Sequence, residues 1–461
     1  MDIPLAVTSQ ECLACRGCCR FHAPDDAWSP RLTAEDAALL LKAQPDGGWQ
    51  GGGGRLALKA CQSGHACPFL EEGSGKCGVY DDRPFECRLY PFLLSREDTG
   101  FRVYAHTSCP AIQRDGASSH AQGIRELFRQ DAAQRFAQEN AANFADYSSF
   151  RDEVEEVYAF DPGAGLWAQR QLIEEALSRN TRTLSSLSFV NLFAWQGFFR
   201  FDVEAIDGAV CVFAAQPAGI FLYWPPLGEN IPASAVATCF EKMRAVNRGG
   251  SLTRVENVAA DELRFFDERL YRFEPRGHEY VYDRARVALL RGQGYKSRRG
   301  DANMFRRRYA GMCNFRPYAP SDFNACALLF DRWLDGRLGK YDNDVYGHML
   351  RENRSVHRLV LAYAPQLGLV GRVVAVNGKL VAYTFGYELG PDTFCVLFEI
   401  ADLEVKGLAA FVFRALCADP ALENFTRINA MDDFAAEQLG RTKMSWRPQR
   451  LEPVYAVLPR E

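Results

Sequence analysis

The sequence predicts a mixed α/β protein: two successive strand-and-helix units, preceded by a small cysteine-rich module and a helical connector. Three observations predict this. Nine of the fifteen cysteines lie between Cys12 and Cys109. A stretch rich in Gln, Ala, Glu and Arg with spaced apolar residues follows, from Ala117 to about Ser178. Beyond Arg179, runs of β-branched and aromatic residues alternate with helical periodicity through two cycles of similar length, which suggests a tandem duplication. The segments are residues 1–115, 116–180, 181–310 and 311–461.

In the first segment, Thr33 to Ala43 reads as a helix opened by a capping box, with Asp36 in place of the usual Glu. The glycine run from Gly47 to Gly54 is a loop or hairpin tip, because a phosphate-cradling loop would need a lysine and a following helix. The connector is expected to be helical, with Ile124, Leu127, Phe128, Phe136 and Phe144 spaced along it and an interruption at Asp161-Pro162-Gly163. Strands are expected at Ala209 to Ala214, Gly219 to Tyr223 and Ser251 to Val258, with helices at Pro232 to Val246 and Asp261 to Phe266. The second cycle opens near Cys313, with helices around Ser321 to Leu334 and from Asp344 to Leu350 and onward. A hairpin then crosses Asn377-Gly378, joining Leu369 to Val376 with Lys379 to Glu388. A strand at Thr393 to Glu399, a helix at Gly407 to Cys417, and strands at Arg427 to Asn429 and Val454 to Leu458 complete it.

The composition is that of a soluble globular protein, with 48% hydrophobic, 24% charged and 12% aromatic residues. At 461 residues the chain is long enough for about three domains. A net charge of −4 gives no global attraction to nucleic acid or anionic membrane. No apolar run is long enough to span a bilayer, and Met1 to Gln10 lacks the pattern of a secretory signal, so a cytoplasmic location is expected. In that compartment thiols stay reduced, and an odd number of clustered cysteines points to metal rather than to disulfides. Cys211, Cys239, Cys313, Cys326, Cys395 and Cys417 are scattered among apolar residues and read as buried inert thiols.

Cys12-Leu-Ala-Cys15-Arg-Gly-Cys18-Cys19 carries the densest sulfur. Two cysteines two residues apart can both face one ion while turn amides donate to their sulfurs. Cys18 and Cys19 diverge as neighbours, so one of them is expected to join Cys12 and Cys15 while the other serves a second ion, another cluster edge or packing. Cys61, Cys67, Cys77, Cys87 and Cys109 complete the candidate ligand set, and His65 and His106 lie among them. Arg83 and Arg88 flank Cys87 and suit either thiolate charge or surface ion pairs.

The motifs CxxCxxCC, Cys67-Pro-Phe-Leu70, Cys77-x-Val-Tyr80-x-x-Arg83-Pro84-x-x-Cys87-Arg88-x-Tyr90-Pro91-Phe92 and Cys109-Pro110 together resemble the CxxCxxCC zinc- or iron-chelating family over residues 10–112. The resemblance implies a small module held by zinc or iron, an iron–sulfur cluster included. Such a metal either staples the fold or acts as a redox or sensing centre.

A second resemblance covers residues 180–458. Ser188-Phe-Val-Asn191-Leu-Phe-Ala-Trp195, Tyr280-Val-Tyr282, Leu289-Leu-Arg291-Gly-Gln-Gly-Tyr295-Lys296, Asn303-Met-Phe305, Lys406-Gly407-Leu408 and Asn429-Ala-Met-Asp432-Asp433 resemble the phosphatidylglycerol lysyltransferase C-terminal family. So does the stretch running from Leu439 to Pro448. That family implies tandem GNAT-like acyltransferase folds and transfer of an aminoacyl or acyl group, from aminoacyl-tRNA or acyl-CoA, to a small-molecule or peptide acceptor. Its lipid-modifying members carry a large membrane region where this chain has the cysteine module. In GNAT folds the donor's anionic handle sits where two parallel strands splay, at a helix N-terminus. Lys406, Gly407 and Leu408 occupy that position; equally, Gly407 simply opens a helix. Asn429, Asp432 and Asp433 follow the next strand, where carboxylates can orient an acceptor or act as base, or cap a helix near Phe434. Lys443 is placed to stabilise an oxyanion or to be solvated. The basic stretch Arg291, Lys296, Arg298, Arg299, Arg306, Arg307 and Arg308, interleaved with Tyr295, Phe305 and Tyr309, suits tRNA contact or a solvated helix. The competing expectation is a non-catalytic metal- or redox-sensing adaptor whose transferase fold only binds a ligand.

Overall fold

The computed structural model describes the chain apart from residues 1–2, 5–6, 9–10, 12–14, 16, 63, 72, 97–99, 148–149, 151, 161–165, 181–182, 217, 249–251, 339–343, 434–435 and 461. Two compact units emerge. One comprises Met1–Gly163, Ala319–Leu328 and Arg358–Tyr363; the other comprises Ala164–Tyr318, Leu329–His357 and Ala364–Glu461.

In the first unit, β1 (Arg20–Phe21), β2 (Lys59–Cys61) and β3 (Gly64–Ala66) form a small antiparallel sheet in the order β1-β3-β2. The helix α1 (Ala34–Ala43) begins as the capping box requires: Asp36 N–H donates to the Thr33 hydroxyl at 3.1 Å, and the Asp36 carboxylate accepts the Thr33 N–H at 2.9 Å. The glycine run is a hairpin tip, closed by Gly51 N–H to the Arg55 carbonyl at 2.9 Å and Ala57 N–H to the Trp49 carbonyl at 2.8 Å. Phe21, Leu40, Trp49, Leu56 and Leu70 bury one small core here.

A short helix α2 (Phe85–Leu89) leads into β4 (Phe92–Arg96) and β5 (Phe101–His106), then into α3 (Pro110–Asp115), α4 (Ala117–Phe128) and α5 (Asp131–Glu139). The connector is not wholly helical. Val154–Phe160 is a strand, β6, and it pairs antiparallel with β5. Its Val-Glu-Glu-Val-Tyr-Ala-Phe run is rich in β-branched and aromatic residues, and Val154 and Val157 are buried. The connector's Ile124, Leu127 and Phe128 share a core with Phe85, Phe92, Phe101 and Val103 of the cysteine-rich segment. The interruption expected at residues 161–163 lies outside the described residues.

The second unit opens with α6 (Arg170–Ser178) and α7 (Phe189–Trp195). There follow β7 (Arg200–Ile206), β8 (Ala209–Gln216), β9 (Gly219–Leu222), α8 (Ala233–Asn247), β10 (Val255–Ala259), β11 (Tyr271–Asp283), α9 (Arg284–Leu289) and α10 (Lys296–Arg308). The next elements are β12 (Cys313–Pro317), α11 (Phe323–Leu338), α12 (Asp344–Ala362), β13 (Val370–Val376), β14 (Lys379–Gly390) and β15 (Thr393–Ala401). The chain finishes with α13 (Leu408–Cys417), β16 (Arg427–Asn429), α14 (Glu437–Met444) and β17 (Arg450–Pro459). No helix among the described residues is long and apolar enough to cross a membrane.

Eleven strands form one sheet in the order β12-β13-β14-β15-β16-β11-β17-β10-β9-β8-β7. All neighbours are antiparallel except β15 with β16 and β9 with β10, one parallel pair in each half. The centre is an exchange. β11 follows β10 in the chain but pairs with β16, whereas β17, the last strand, lies between β11 and β10. Each half is therefore completed by the other half's terminal strand, and neither closes its hydrogen-bond ladder alone.

Candidate functional site

Four thiols from four segments of the cysteine-rich module are electrostatic neighbours. Cys19 ends a 3-10 turn, and its carbonyl accepts the Cys67 N–H at 2.9 Å. Cys77 pairs with Leu70 in an isolated bridge, and Cys87 sits in α2. Burial pushes the Cys67 thiol up to about 12, with Cys19 and Cys77 adding to the rise. Burial likewise raises Cys77, and it raises Cys87 well above the ordinary thiol value, with Cys67, Cys19 and Cys77 contributing. Cys19 moves the other way, to about 7, through a hydrogen bond from Cys18 and the charges of Arg20 and Arg83.

The Cys67 sulfur accepts the Phe69 N–H and the Cys77 sulfur accepts the Val79 N–H. Each amide lies two residues beyond its cysteine, as in turns that stabilise metal-bound thiolates. This donor set fits zinc or iron. Among the described residues no three His, Cys, Asp or Glu side chains close around one point at ligand distance.

The other candidate ligands are placed elsewhere or differently. Cys18 is exposed and donates to Cys19, which gives the adjacent pair distinct roles; Cys15 is also exposed. Cys109 is buried at the start of α3 in the core with Phe92 and Val103. Cys61 is half-buried at the end of β2, and Cys12 lies outside the described residues. His106 stacks on Trp28 at 4.2 Å and contacts the Tyr90 hydroxyl through Nδ1 at 3.2 Å, while His65 lies in β3 with Nδ1 buried and no hydrogen-bond partner found among the described residues.

In the second unit, β15 and β16 pair in parallel through Phe394 with Ile428 and Cys395 with Asn429. There β16 ends while β15 runs on to Ala401, so the strands part. The pairing of β15 with β14 shifts between Gly386–Val396 and Phe385–Phe398, leaving Leu397 as a bulge. The bulge turns Glu399 towards Lys443, Arg298, Tyr282 and Cys417, all of which interact with its charge. Its Oε2 is buried with no hydrogen-bond partner found among the described residues. Burial pushes this carboxyl up to about 8, against the pull of Lys443 and Arg298.

The expected residues surround this opening in unequal roles. Asn429 is fully buried; its Nδ2 donates to Glu279 at 2.6 Å and to the Thr183 carbonyl at 3.2 Å, and its Oδ1 accepts the Met431 N–H at 2.7 Å. Glu279 also accepts the Ser185 hydroxyl at 2.5 Å. Lys443 Nζ donates to the carbonyls of Ala430 at 2.6 Å, Met431 at 3.3 Å and Asp432. Burial lowers its pKa, opposed by Asp432, Asp433 and Glu279. Both side chains thus hold the loop after β16. Asp433 accepts the Tyr280 hydroxyl at 2.6 Å, and a Cβ on Gly440 of α14 would lie 2.6 Å from its Oδ2. The helix begins at Glu437 with Ala436 as N-cap, so neither Asp432 nor Asp433 caps it by a side-chain bond; Phe434 lies outside the described residues.

Gly407 takes a left-handed φ of 80° before α13, and a Cβ there would lie 2.4 Å from the Asp301 carbonyl of α10. Leu408 is fully buried beside Phe305 and Val412. Lys406 is exposed at the turn. Arg291, Lys296, Arg306, Arg307 and Arg308 are exposed, whereas Arg298 donates to the Ser445 hydroxyl at 2.8 Å and Arg299 to the Gly292 carbonyl at 2.9 Å. Partial burial depresses the pKa of half-buried Arg414, and Arg306 and Arg299 add to the drop.

The parallel pair of the other half is plugged. Beyond Leu222–Val255, Tyr223 and Trp224 are buried, with the Tyr223 hydroxyl on Asn191 at 2.6 Å and Trp224 Nε1 on the Ser186 carbonyl at 3.0 Å. Glu399 escaped sequence reasoning, although a single Glu within Thr393-Phe-Cys-Val-Leu-Phe-Glu-Ile-Ala was a visible anomaly.

Residues 11–110 match the CxxCxxCC family, described as "Putative zinc- or iron-chelating domain". Residues 179–458, more than half of the chain, match the family "Phosphatidylglycerol lysyltransferase, C-terminal". No curated protein matches. Among solved structures, a conserved protein of unknown function from Bacteroides thetaiotaomicron VPI-5482 is 23% identical, with 64% of this chain and 97% of that chain covered and a TM-score of 0.57. L-PGS from Bacillus licheniformis is 14% identical, with 62% and 91% covered and a TM-score of 0.45. The architecture of the matched region is a mixed α/β fold built on one eleven-stranded sheet. With this family match extending over residues 179–458, the chain belongs to the phosphatidylglycerol lysyltransferase C-terminal family.

Proposed function

We propose that the protein transfers an aminoacyl or acyl group to a small-molecule or peptide acceptor at the opening between β15 and β16, and that the thiol module binds zinc or iron to hold its own fold. The observation that carries this reading is Glu399, a carboxylate at this opening whose buried Oε2 has no hydrogen-bond partner among the described residues. In the proposed step Glu399 takes a proton from the acceptor's amine or hydroxyl, which attacks the donor carbonyl. The carbonyl–oxygen bond of an ester donor, or the carbonyl–sulfur bond of a thioester, then breaks, and the proton leaves with the departing hydroxyl or thiol. Asp433, paired with Tyr280, orients the acceptor; Asn429 and Lys443 position the loop that carries it.

Aminoacyl-tRNA is favoured over acyl-CoA as donor. The α13 N-terminus meets the Asp301 carbonyl, an acceptor, where a pyrophosphate would need donors. The exposed arginines of α10 supply phosphate contacts. The test is a donor panel: purified protein with a labelled aminoacyl-tRNA pool or with labelled acyl-CoA, in cell extract supplying acceptors. Label is expected to leave aminoacyl-tRNA, more slowly with Arg306→Ala/Arg307→Ala. Loss of label from acyl-CoA alone overturns the donor assignment, and loss from neither favours the ligand-binding adaptor.

A further inference from the structure

The glycine hairpin of the first unit lines a pocket of about 390 Å³, together with Asp25, Arg31 and Arg55. Arg31 and Arg55 stand directly opposite each other in an antiparallel bridge. Like charges at such positions repel, and sheets ordinarily avoid them. Here the backbone enforces the arrangement: Leu56 N–H donates to the Pro30 carbonyl at 3.0 Å, and Leu32 N–H to the Gly54 carbonyl at 2.8 Å. Arg55 is aimed by its Nη1, which donates to the carbonyls of Asp25 at 3.1 Å and Asp26 at 3.2 Å. Arg31 Nε is buried with no hydrogen-bond partner found among the described residues.

The surrounding charges leave the pair under-compensated. Burial, Arg55 and Arg96 all depress the Arg31 pKa, and Glu86 is the carboxylate that opposes them. The Glu86 carboxylate spends an oxygen on the Arg31 main-chain N–H, which it accepts at 2.6 Å. Asp25 lies exposed on the lining. A Cβ on Gly52 would meet no atom within 4 Å, which leaves that backbone open to a ligand.

We propose that this pocket binds a phosphate-bearing small molecule, with Arg31 and Arg55 as its paired guanidinium ligands. Two planar forks match the oxygens of one phosphate, and an anion between them removes the cross-strand repulsion. The volume leaves room for a substituent of about sugar size beyond the phosphate. The site is separate from the proposed transfer chemistry and would stand if that reading failed.

Isothermal titration of the full-length, metal-loaded protein with inorganic phosphate, and separately with ribose 5-phosphate, at constant ionic strength tests it. Saturable one-to-one binding is expected for at least one probe, weakened about tenfold by Arg31→Met or Arg55→Met, the loss of a charge-assisted hydrogen bond. Gly52→Val, which keeps both guanidiniums but adds bulk to the lining, is expected to weaken ribose 5-phosphate more than phosphate; it decides the matter should an arginine variant not fold. Absence of saturable heat with both probes overturns the proposal, as does affinity unchanged in all three variants.

Discussion

Replacing Glu399 with glutamine should make the protein more stable, by an amount that grows with pH. The carboxyl ionises near 4.5 in the unfolded chain and at about 8 in the folded one. Between those values the folded state keeps a proton that the unfolded state has released, so wild-type stability falls as pH rises from about 4.5 to about 8. Below that window both states are protonated, and above it both are ionised, so the penalty is constant. The slope reaches at most about 1.4 kcal/mol per pH unit, for a total on the order of 5 kcal/mol. Glutamine keeps the shape, carries no charge and lacks this term. Chemical denaturation at intervals between pH 5 and 8 should show the wild-type and Glu399→Gln stabilities diverging by several kcal/mol in the variant's favour. Parallel curves would refute the placement of an uncompensated buried carboxylate at the opening.

Three other outcomes follow from the same geometry. Gly440→Ala sets a Cβ 2.6 Å from the Asp433 Oδ2; overpacking of about 1–3 kcal/mol is expected, with group transfer falling more than donor binding. Cys67→Ser or Cys87→Ser should drop metal content, measured by elemental mass spectrometry, and lower the melting temperature of the first unit, whereas Cys109→Ala should leave metal content unchanged. Deleting residues 450–461 removes β17, which pairs with both β10 and β11; both halves of the sheet should lose protection in amide hydrogen exchange, and loss confined to the second half would contradict the strand exchange.

Local signals were well preserved in the sequence. Thr33 and Asp36 form the capping box their spacing announces, and Asn377-Gly378 turns the hairpin with φ of 50° and 79°, the left-handed pair that a tight turn demands. Both features depend on neighbours only a few residues away. What depended on distant partners was hidden. The strand β11 contains Pro275 and Gly277 at a register shift, which breaks the alternation by which a strand is recognised, yet it is the bridge between the two halves. Val154–Phe160 is bounded by helical composition and becomes a strand because β5 offers it an edge.

The candidate site shows the same division. Cys19, Cys67, Cys77 and Cys87 were all visible as candidates, but nothing in their spacing separates them from Cys109, which folding sends into an apolar core. Asn429, Asp432, Asp433 and Lys443 do gather near the opening, yet the sequence could not show that Asn429 and Lys443 spend their hydrogen bonds on Glu279 and the loop carbonyls. Glu399 owes its direction to the bulge at Leu397, a feature of the pairing with β14 and not of β15 alone.

The most direct test of transfer at this opening is a single-turnover assay with labelled aminoacyl-tRNA and acceptor-containing extract, comparing wild type with Glu399→Gln across pH. Wild-type transfer should rise with pH to a plateau above about 8, as the carboxylate becomes free to take a proton. The variant should retain donor binding but lose the rise and at least about a hundredfold of the rate. An unchanged rate and pH profile in Glu399→Gln would contradict the account.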